Sequence, residues 1–314
     1  MLNLMNGFKL FGGTHWVYIL MAVIVVVGLY IALKNANEKL QKYLGVAMVS
    51  LLVLFVILDM VGRLIQGQDF FESLPLAPWQ IFAYIAIFVQ FTKRESWIKF
   101  GYFITIPLTI IEVFVVPNYY IGLSSFSIST IAYFLGHAIL IIYAILSLIW
   151  SEEYLSKKDI LNSTINYVII MAFAHIFNVI LRFSTLAVHA NYFGTIGEEY
   201  DVVIKFVYGL IPIPFVHMIP LIGLLMFIEF LMILPFDLMK TNKDRREQME
   251  ELVALGNLKA QQQARKNKKG GSQVLLRSEN KASPNVQKSY NDYSKKDGFV
   301  SVNKTVQTHN EEHK

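Results

Sequence analysis

The chain contains no cysteine among its 314 residues. It therefore cannot form a disulfide, a thiolate metal site or a covalent intermediate on a thiol. Charged residues are also scarce, at 16% of the composition against 54% hydrophobic residues, and the mean hydropathy is +0.46. Soluble domains seldom carry such an excess of apolar residues in long blocks. The composition therefore predicts an integral membrane protein.

Long apolar runs recur along the chain. We count seven: roughly His15–Leu33, Leu44–Ile65, Trp79–Phe91, Phe100–Val116, Ser127–Trp150, Ile160–Phe183 and His217–Phe236. A helix that crosses a bilayer needs about 20 mostly apolar residues, and only the third run is short for this purpose. The sequence therefore predicts an all-α polytopic protein with seven transmembrane helices, located in the cell membrane.

Basic residues occur in alternate loops of this arrangement. They are Lys34, Lys39 and Lys42 in the first loop, Lys93, Arg94 and Lys99 in the third, and Lys157 and Lys158 in the fifth. The intervening loops GQDFFESLP and NYYIGLSSF contain no Lys or Arg. Because short basic loops mark the cytoplasmic side, we predict an outside N-terminus and a cytoplasmic C-terminal tail. The alternation also requires the third segment to cross the membrane.

The chain is predicted to divide into three parts. These are a transmembrane domain over residues 1–236, a cytoplasmic charged helix over 237–269 and a disordered, basic tail over 270–314, which is polar and low in large apolar residues. The longest link, Ser184–Val216, contains a Gly- and Pro-bearing GLIPIPF stretch and is expected to form an irregular outer cap. The tail could recruit a cytoplasmic partner or contact anionic lipid. Its basic residues are not interspersed with aromatic residues that could stack on bases, so no nucleic-acid partner is predicted.

One ionisable residue, His137, stands near the middle of the fifth apolar run. Thr130 and Tyr133 lie seven and four positions before it, so all three share one helical face. A polar stripe on a membrane helix must face other protein or a water-filled cavity, because lipid cannot satisfy it. We therefore expect the other helices to gather around this stripe.

Most of the other polar residues in the apolar runs fall in their predicted outer halves. They are Asp59 and Arg63, Trp79 and Gln80, Glu112, and His175, Asn178 and Arg182. Each charge left in hydrocarbon would cost about 2.5–3.5 kcal/mol, so a shared outward-opening polar cavity is expected. Such a cavity suits a ligand with an anionic head and apolar chains, such as a phospholipid.

Structural interpretations of the same residues stay open. Asp59 and Arg63 can form an ion pair between helices, and His175 and Asn178 can hydrogen-bond neighbouring helices. The aromatic residues Tyr119, Tyr120, Trp79 and Tyr192 are expected in an interfacial belt, and His15 and His217 at the interface. Within the apolar runs no two His are spaced i, i+4, so we predict no metal site and no cofactor.

From about Leu10 to Phe236 the chain resembles the YwaF-like family of integral membrane proteins, whose animal relatives are called transmembrane protein 164. LFGGTHWVYIL resembles the family's opening, and SLPLAPWQIF resembles its Leu-Pro-Leu-His-Leu-Cys loop. GYFITIPLTIIEVFVVPN resembles its fourth span, and FLGHAIL matches the span that carries the characteristic His. HANYFG resembles its Asn-Tyr motif, which places that motif at Asn191 and Tyr192.

The animal members are viewed as acyltransferases that move fatty acyl groups between phospholipids through a Cys and a His. The resemblance places the His role on His137, as a general base, but puts Trp79 at the Cys position and Ala77 at the loop His position. A thioester intermediate is therefore impossible here. A hydroxyl, such as that of Ser73 or Thr130, could replace the thiol in principle. The resemblance thus implies a lipid-sized cavity with lost or altered catalysis.

Three functions follow from these observations. The first is binding, and in an altered form processing, of a lipid in the outer cavity, with Arg63 or Arg182 holding an anionic head group. The second is transport or sensing of a small polar solute, with Asp59, Glu112 and His175 as ion or proton sites, although no inverted repeat is evident. The third is a membrane scaffold that recruits a partner through its tail.

Overall fold

The computed structural model describes residues 7–197 and 200–269, and its regular structure there is helical, as predicted. The helices are α1 Gly13–Leu33, α2 Glu38–Ile65, α3 Pro78–Thr92, α4 Glu95–Phe100, α5 Ile106–Phe114, α6 Ile128–Ser151, α7 Lys157–Phe183, α8 Val202–Leu210 and α9 Met218–Lys269. A π-helical turn, Gly101–Thr105, joins α4 to α5. An isolated antiparallel bridge pairs Gly7 with Ser124.

Six helical stretches among the described residues are long and apolar enough to cross a membrane. They are Gly13–Leu33, Glu38–Ile65, Glu95–Phe114, Ile128–Ser151, Lys157–Phe183 and Met218–Phe236. The remaining apolar helix, α3, has 15 residues. At 1.5 Å per residue it is about 22 Å long, which is less than the roughly 30 Å of a hydrocarbon core. The seven-span count and the orientation therefore stay predictions based on the loop charges.

Large apolar side chains face outward on the spanning helices. On α1, for example, Leu20, Ile24 and Ile31 are each 60% exposed or more. In water a surface this apolar would drive association, whereas hydrocarbon solvates it without cost. The protein is therefore a multi-pass membrane protein.

The fifth apolar run forms the central helix, α6. In the most apolar 18-residue stretch of α6, 78% of the residues are buried, whereas only 17% are buried in the corresponding stretch of α1. This confirms the expectation that the other helices gather around the His137 segment. Close approach between α2 and α6 depends on Gly62, where an added Cβ would lie 2.6 Å from the backbone nitrogen of Ser129.

Local capping explains several helix boundaries. α2 begins after Asn37, whose side chain accepts a hydrogen bond from Leu40 N, and α6 begins after Ser127, which accepts one from Thr130 N. α3 begins at Pro78, a position where the missing backbone N–H has no intrahelical partner to lose.

The π-helical turn ends at Thr105, two residues before Pro107. Proline cannot donate to the carbonyl four residues earlier, and its ring clashes with that carbonyl in a regular α-helix. Widening the preceding turn relieves this conflict within a continuous span. The turn thus sets the rotation of α5, which carries Glu112.

The long link after α7 is more ordered than its sequence predicted. It contains α8 and a 3₁₀ turn, Tyr192–Gly194. Asn178 on α7 holds this turn, because its Nδ2 donates to Tyr192 O at 2.8 Å and its Oδ1 accepts from Tyr192 N at 2.9 Å.

The interfacial interpretation of His15 and His217 is wrong, since both side chains are fully buried. Nε2 of His15 donates to Val113 O at 2.8 Å, because Nδ1 already accepts from Phe11 N. Nε2 of His217 lies 2.8 Å from Gly194 O. His15 thus ties the start of α1 to α5, and His217 ties the start of α9 to the 3₁₀ turn Tyr192–Gly194.

The chain clusters into two compact units, Met1–Arg245 and Arg246–Lys314. The second unit includes the end of α9, where Leu252 and Leu258 are exposed. The predicted tail, residues 270–314, lies outside the described residues, and the division at residues 236 and 269 stays a prediction.

We expect Gly62→Ala to lower the free energy of unfolding by about 1–3 kcal/mol, because a backbone atom of α6 cannot yield to the added methyl group. Gly28→Ala in α1 is the matched control, since nothing lies within 4 Å of its added Cβ. The better helix propensity of Ala should leave that variant neutral or stabilised by up to about 1 kcal/mol. Denaturant titration in detergent measures both, and equal effects would contradict the close packing of α2 on α6.

Candidate functional site

A buried ion pair on α2 forms the first half of the candidate site. Nη2 of Arg63 lies 3.3 Å from Oδ2 of Asp59, one helical turn away. The same carboxylate accepts from Gln80 Nε2 at 2.8 Å and from the Tyr120 hydroxyl at 2.7 Å. Gln80 is itself held by its Oε1, which accepts from Ala77 N at the start of α3. The Asp59 carboxylate is thus fully buried and hydrogen-bonded on both oxygens.

Arg63 also organises the loop between α2 and α3. Its two terminal nitrogens donate to Glu72 O at 3.2 Å and Ser73 O at 2.9 Å, and its guanidinium lies 5.2 Å from the Tyr119 ring centroid. Its Nε has no hydrogen-bond partner within the part of the chain that the structure describes. The guanidinium is therefore fixed in place and still has donor capacity.

A second buried pair joins α5 to α6. Nδ1 of His137 lies 2.7 Å from Tyr133 O, and since a carbonyl can only accept, Nδ1 carries a proton. Nε2 then faces Glu112 Oε2 at 3.2 Å, and the other oxygen of Glu112 accepts from the Tyr200 hydroxyl at 3.2 Å. Both ring nitrogens of His137 are therefore engaged.

Tyrosine rings connect the two pairs. The Tyr120 ring packs 4.3 Å from that of Tyr133, which packs 4.0 Å from His137. Burial raises the pKa of Tyr120, Tyr119 and Tyr200 well above the ordinary value. These loop phenols stay protonated, so Tyr120 and Tyr200 donate to the two carboxylates.

Trp79 fills the space beside His137. Its side chain is fully buried, and its ring centroid lies 5.3 Å from that of the imidazole. Gly136 makes room for it, because a Cβ there would lie 2.8 Å from Cζ3 of the indole. Among the described residues the indole Nε1 has no hydrogen-bond partner. Trp79, on α3, therefore contacts His137 through ring packing and makes no hydrogen bond to it.

An open cleft of about 360 Å³, here called the outer cleft, lies on the loop side of these pairs. Its lining residues are Arg63, Gln68, Glu72, Asn118, Tyr119, His189, Ala190, Asn191, Tyr192 and Tyr200. Arg63 thus belongs both to the buried pair and to the cleft wall. Glu72 provides a carboxylate on the same wall, where it accepts from His189 N at 3.1 Å.

The outer cavity expected from the sequence is corrected by this arrangement. Asp59, Trp79, Gln80 and His137 are fully buried. They form a packed polar core with Glu112 and Tyr133, and of the predicted binding residues Arg63 and Asn191 line the outer cleft. Charges that satisfy one another need no cavity, so the cost of burying them could not distinguish a cavity from a core.

The other predicted binding residues lie apart from this core. Thr130 donates to Ser124 O at 3.2 Å, His175 packs against the Phe215 ring at 5.2 Å, and Arg182 Nε donates to Ala190 O at 2.8 Å. Asn178 holds the 3₁₀ turn described above. Asn191 donates to Gly197 O and accepts from Ile196 N, which shapes the loop beside the cleft.

The predicted aromatic belt is also corrected. Tyr120, Trp79 and Tyr192 are buried, and Tyr119 lines the cleft. Sequence reasoning missed Glu72 and Tyr200, which lie in loops without a motif. Tyr120 lies three residues after Pro117, in the 3₁₀ turn Asn118–Tyr120.

Asp201 caps α8 next to the site and is expected to make stability depend on pH. Its Oδ1 accepts from Val203 N and Ile204 N, both at 2.8 Å, but burial raises its pKa from 3.8 to about 6. The folded protein therefore binds a proton that the unfolded chain has released. The stabilisation from this proton is present below pH 4 and is lost as the pH rises through 6.

Asp201→Asn keeps the capping oxygen and removes the titration. Between pH 4 and pH 7.5 the wild type should lose on the order of 2 kcal/mol relative to this variant. Denaturant titrations of both proteins in detergent over this range measure the difference. Parallel stability curves would contradict the burial of this carboxyl group.

In the comparison with known protein families, a model described as the TMEM164 family matches residues 10–232. Neither the curated proteins nor the solved structures gave a significant match to the chain.

Proposed function

The chain belongs to the TMEM164 family, and from this premise we propose that it is a cell-membrane protein that binds a phospholipid by its head group in the outer cleft. The observation that supports this proposal is Arg63. Arg63 lines an open cleft although it is only 1% exposed, is held from behind by Asp59, and has a buried Nε–H with no partner in the described residues.

The chemistry of the cleft wall suits a phosphate with an attached ammonium group. A guanidinium binds phosphate through two parallel N–H bonds, and a fixed one loses little conformational freedom on binding. Glu72, on the same wall, can accept from an ammonium group. The pair therefore favours a zwitterionic head group such as phosphoethanolamine.

The size of the outer cleft favours a head group over a whole lipid. Small-molecule sites usually occupy about 300–1,000 Å³, and 360 Å³ is at the lower end of this range. The acyl chains would then lie in the bilayer, beside the apolar helix surfaces.

We further propose that binding occurs without acyl transfer through a thioester. The chain has no cysteine, and Trp79 occupies the position that the family resemblance gives to one. Both nitrogens of His137 are engaged, and the hydroxyl of Thr130 bonds Ser124 O. In this proposal His137 and Glu112 hold α5 against α6 below the cleft and contact no substrate.

Native mass spectrometry of the purified protein with dioleoyl phosphatidylethanolamine tests the proposal. Arg63→Lys keeps the charge that Asp59 requires but removes the guanidinium fork, so we expect lipid retention to fall about tenfold. The control is Arg94→Lys at the other end of the bundle. Equal retention by wild type and Arg63→Lys would contradict head-group binding. A changed cellular phospholipid acyl profile in a His137→Ala strain would contradict the non-catalytic assignment.

A further inference from the structure

A second and larger cleft, here called the basic-end cleft, opens at the opposite end of the helices. It has a volume of about 720 Å³ and lies between the start of α2, the end of α3, the start of α4 and the end of α6. Its wall includes Lys42, Gln90, Lys93 and Tyr143. The loops at this end carry the basic residues from which its cytoplasmic location is predicted.

The floor of the basic-end cleft is a fixed amide. Gln90 is 6% exposed, and its Oε1 accepts from the Tyr143 hydroxyl at 3.2 Å and from Lys93 Nζ at 3.3 Å. Gly45 leaves the space for this amide, because a Cβ there would lie 2.3 Å from Oε1. With both lone pairs of Oε1 occupied, Gln90 can offer a ligand only its N–H groups, of which one makes a long 3.5 Å contact to Lys42 O.

The cations beside this amide lack carboxylate partners. Among the described residues, Lys42 and Lys93 form no ion pair, whereas Lys99 nearby is surrounded by Glu95, Glu153 and Asp159. Glu153 on the cleft wall is therefore already engaged. Glu38 on the rim lies one turn before Lys42 and forms no ion pair with it. The cleft thus presents two exposed ammonium groups and a buried amide, which are all donors.

One side of the basic-end cleft is apolar and exposed. Phe91 is 71% exposed and Val46 is 38% exposed, and both line the cleft together with buried Val89. Donors at the membrane boundary next to an exposed apolar wall match the two parts of a phospholipid. A free anion would use the donors and leave the apolar wall without a partner.

We propose that the basic-end cleft binds the phosphate of an anionic phospholipid, with Lys42, Lys93 and Gln90 as donors and an acyl chain along Val46 and Phe91. Anionic lipid is enriched in the cytoplasmic leaflet, which is the side predicted for this end. The site is distinct from the outer cleft and does not depend on it.

The test is native mass spectrometry of the full chain with dioleoyl phosphatidylglycerol. We expect Lys42→Gln with Lys93→Gln to bind this lipid about 25-fold more weakly, since each surface Lys contributes about fivefold. The matched control is Lys39→Gln with Arg94→Gln, which changes the net charge equally at residues outside the cleft wall and should stay within about twofold of wild type. All four side chains are exposed, so both variants should fold.

Three outcomes would overturn the proposal. An equal loss in the control variant would mean that the general surface charge attracts the lipid. Unchanged lipid binding by the variant with Lys42→Gln and Lys93→Gln would contradict a binding site in the basic-end cleft. Competition by millimolar inorganic phosphate that displaces the lipid fully would mean a site for free phosphate. Arg63→Lys should leave this binding unchanged, which separates failure here from failure of the outer cleft.

Discussion

Asp59→Asn is expected to destabilise the protein by about 3–5 kcal/mol. Asp59 is fully buried, and its carboxylate neutralises Arg63, which is 1% exposed. Removing one partner of a buried ion pair leaves the other charge uncompensated in a medium of low dielectric constant. Asn also has one acceptor oxygen where Asp59 has two, so Tyr120 and Gln80 could no longer both donate to this side chain. Thermal unfolding and denaturant titration in detergent measure the effect.

A double variant separates the charge effect from a general loss of packing. Asp59→Leu with Arg63→Met removes both charges together, and we expect it to recover part of the stability that Asp59→Asn loses. Recovery should be incomplete, because Gln80 and Tyr120 lose their acceptor. A double variant less stable than Asp59→Asn would show that the pair itself stabilises the fold beyond charge compensation.

Trp79→Ala is expected to lower the free energy of unfolding by about 3–5 kcal/mol, which is typical for truncating a fully buried aromatic residue. Neighbouring residues cannot fill the space easily, because Gly136 on α6 has no side chain and the His137 ring is held at both nitrogens. The same unfolding measurements in detergent test this prediction.

Trp16→Ala provides the matched comparison for Trp79→Ala. Trp16 is 51% exposed on α1, so its truncation should change stability by no more than about 0.5 kcal/mol. Similar losses in the two variants would contradict the distinction between a buried indole beside His137 and an outward-facing one.

The membrane class and the central helix could be predicted because both depend on local composition. Apolar length alone identifies the Ile128–Ser151 helix, and a polar stripe around His137 indicates that this helix faces protein. The bounds of the span before it were less accurate. The π-helical turn lets α4 begin at Glu95, among charged residues that a hydropathy argument leaves in the loop.

The candidate site was predictable only where its contacts are local. Asp59 and Arg63 are one turn apart on a helix, so the sequence alone places them together. His137 and Glu112 are 25 positions apart, and Tyr120 and Asp59 are 61 apart. These contacts depend on how each helix is rotated and on the path of each loop, and the periodicity of apolar residues in the sequence predicts neither. Without these contacts the buried polar residues could not be paired with one another, and the sequence therefore predicted an open cavity where the structure has a packed polar core.

The most direct test of the proposed function is an experimental structure of the protein in native-lipid discs. The account predicts a phospholipid phosphate in the outer cleft, with its oxygens within about 3 Å of the Arg63 guanidinium. An outer cleft that holds only water in such discs, with lipid phosphates confined to the bilayer surface elsewhere, would contradict it.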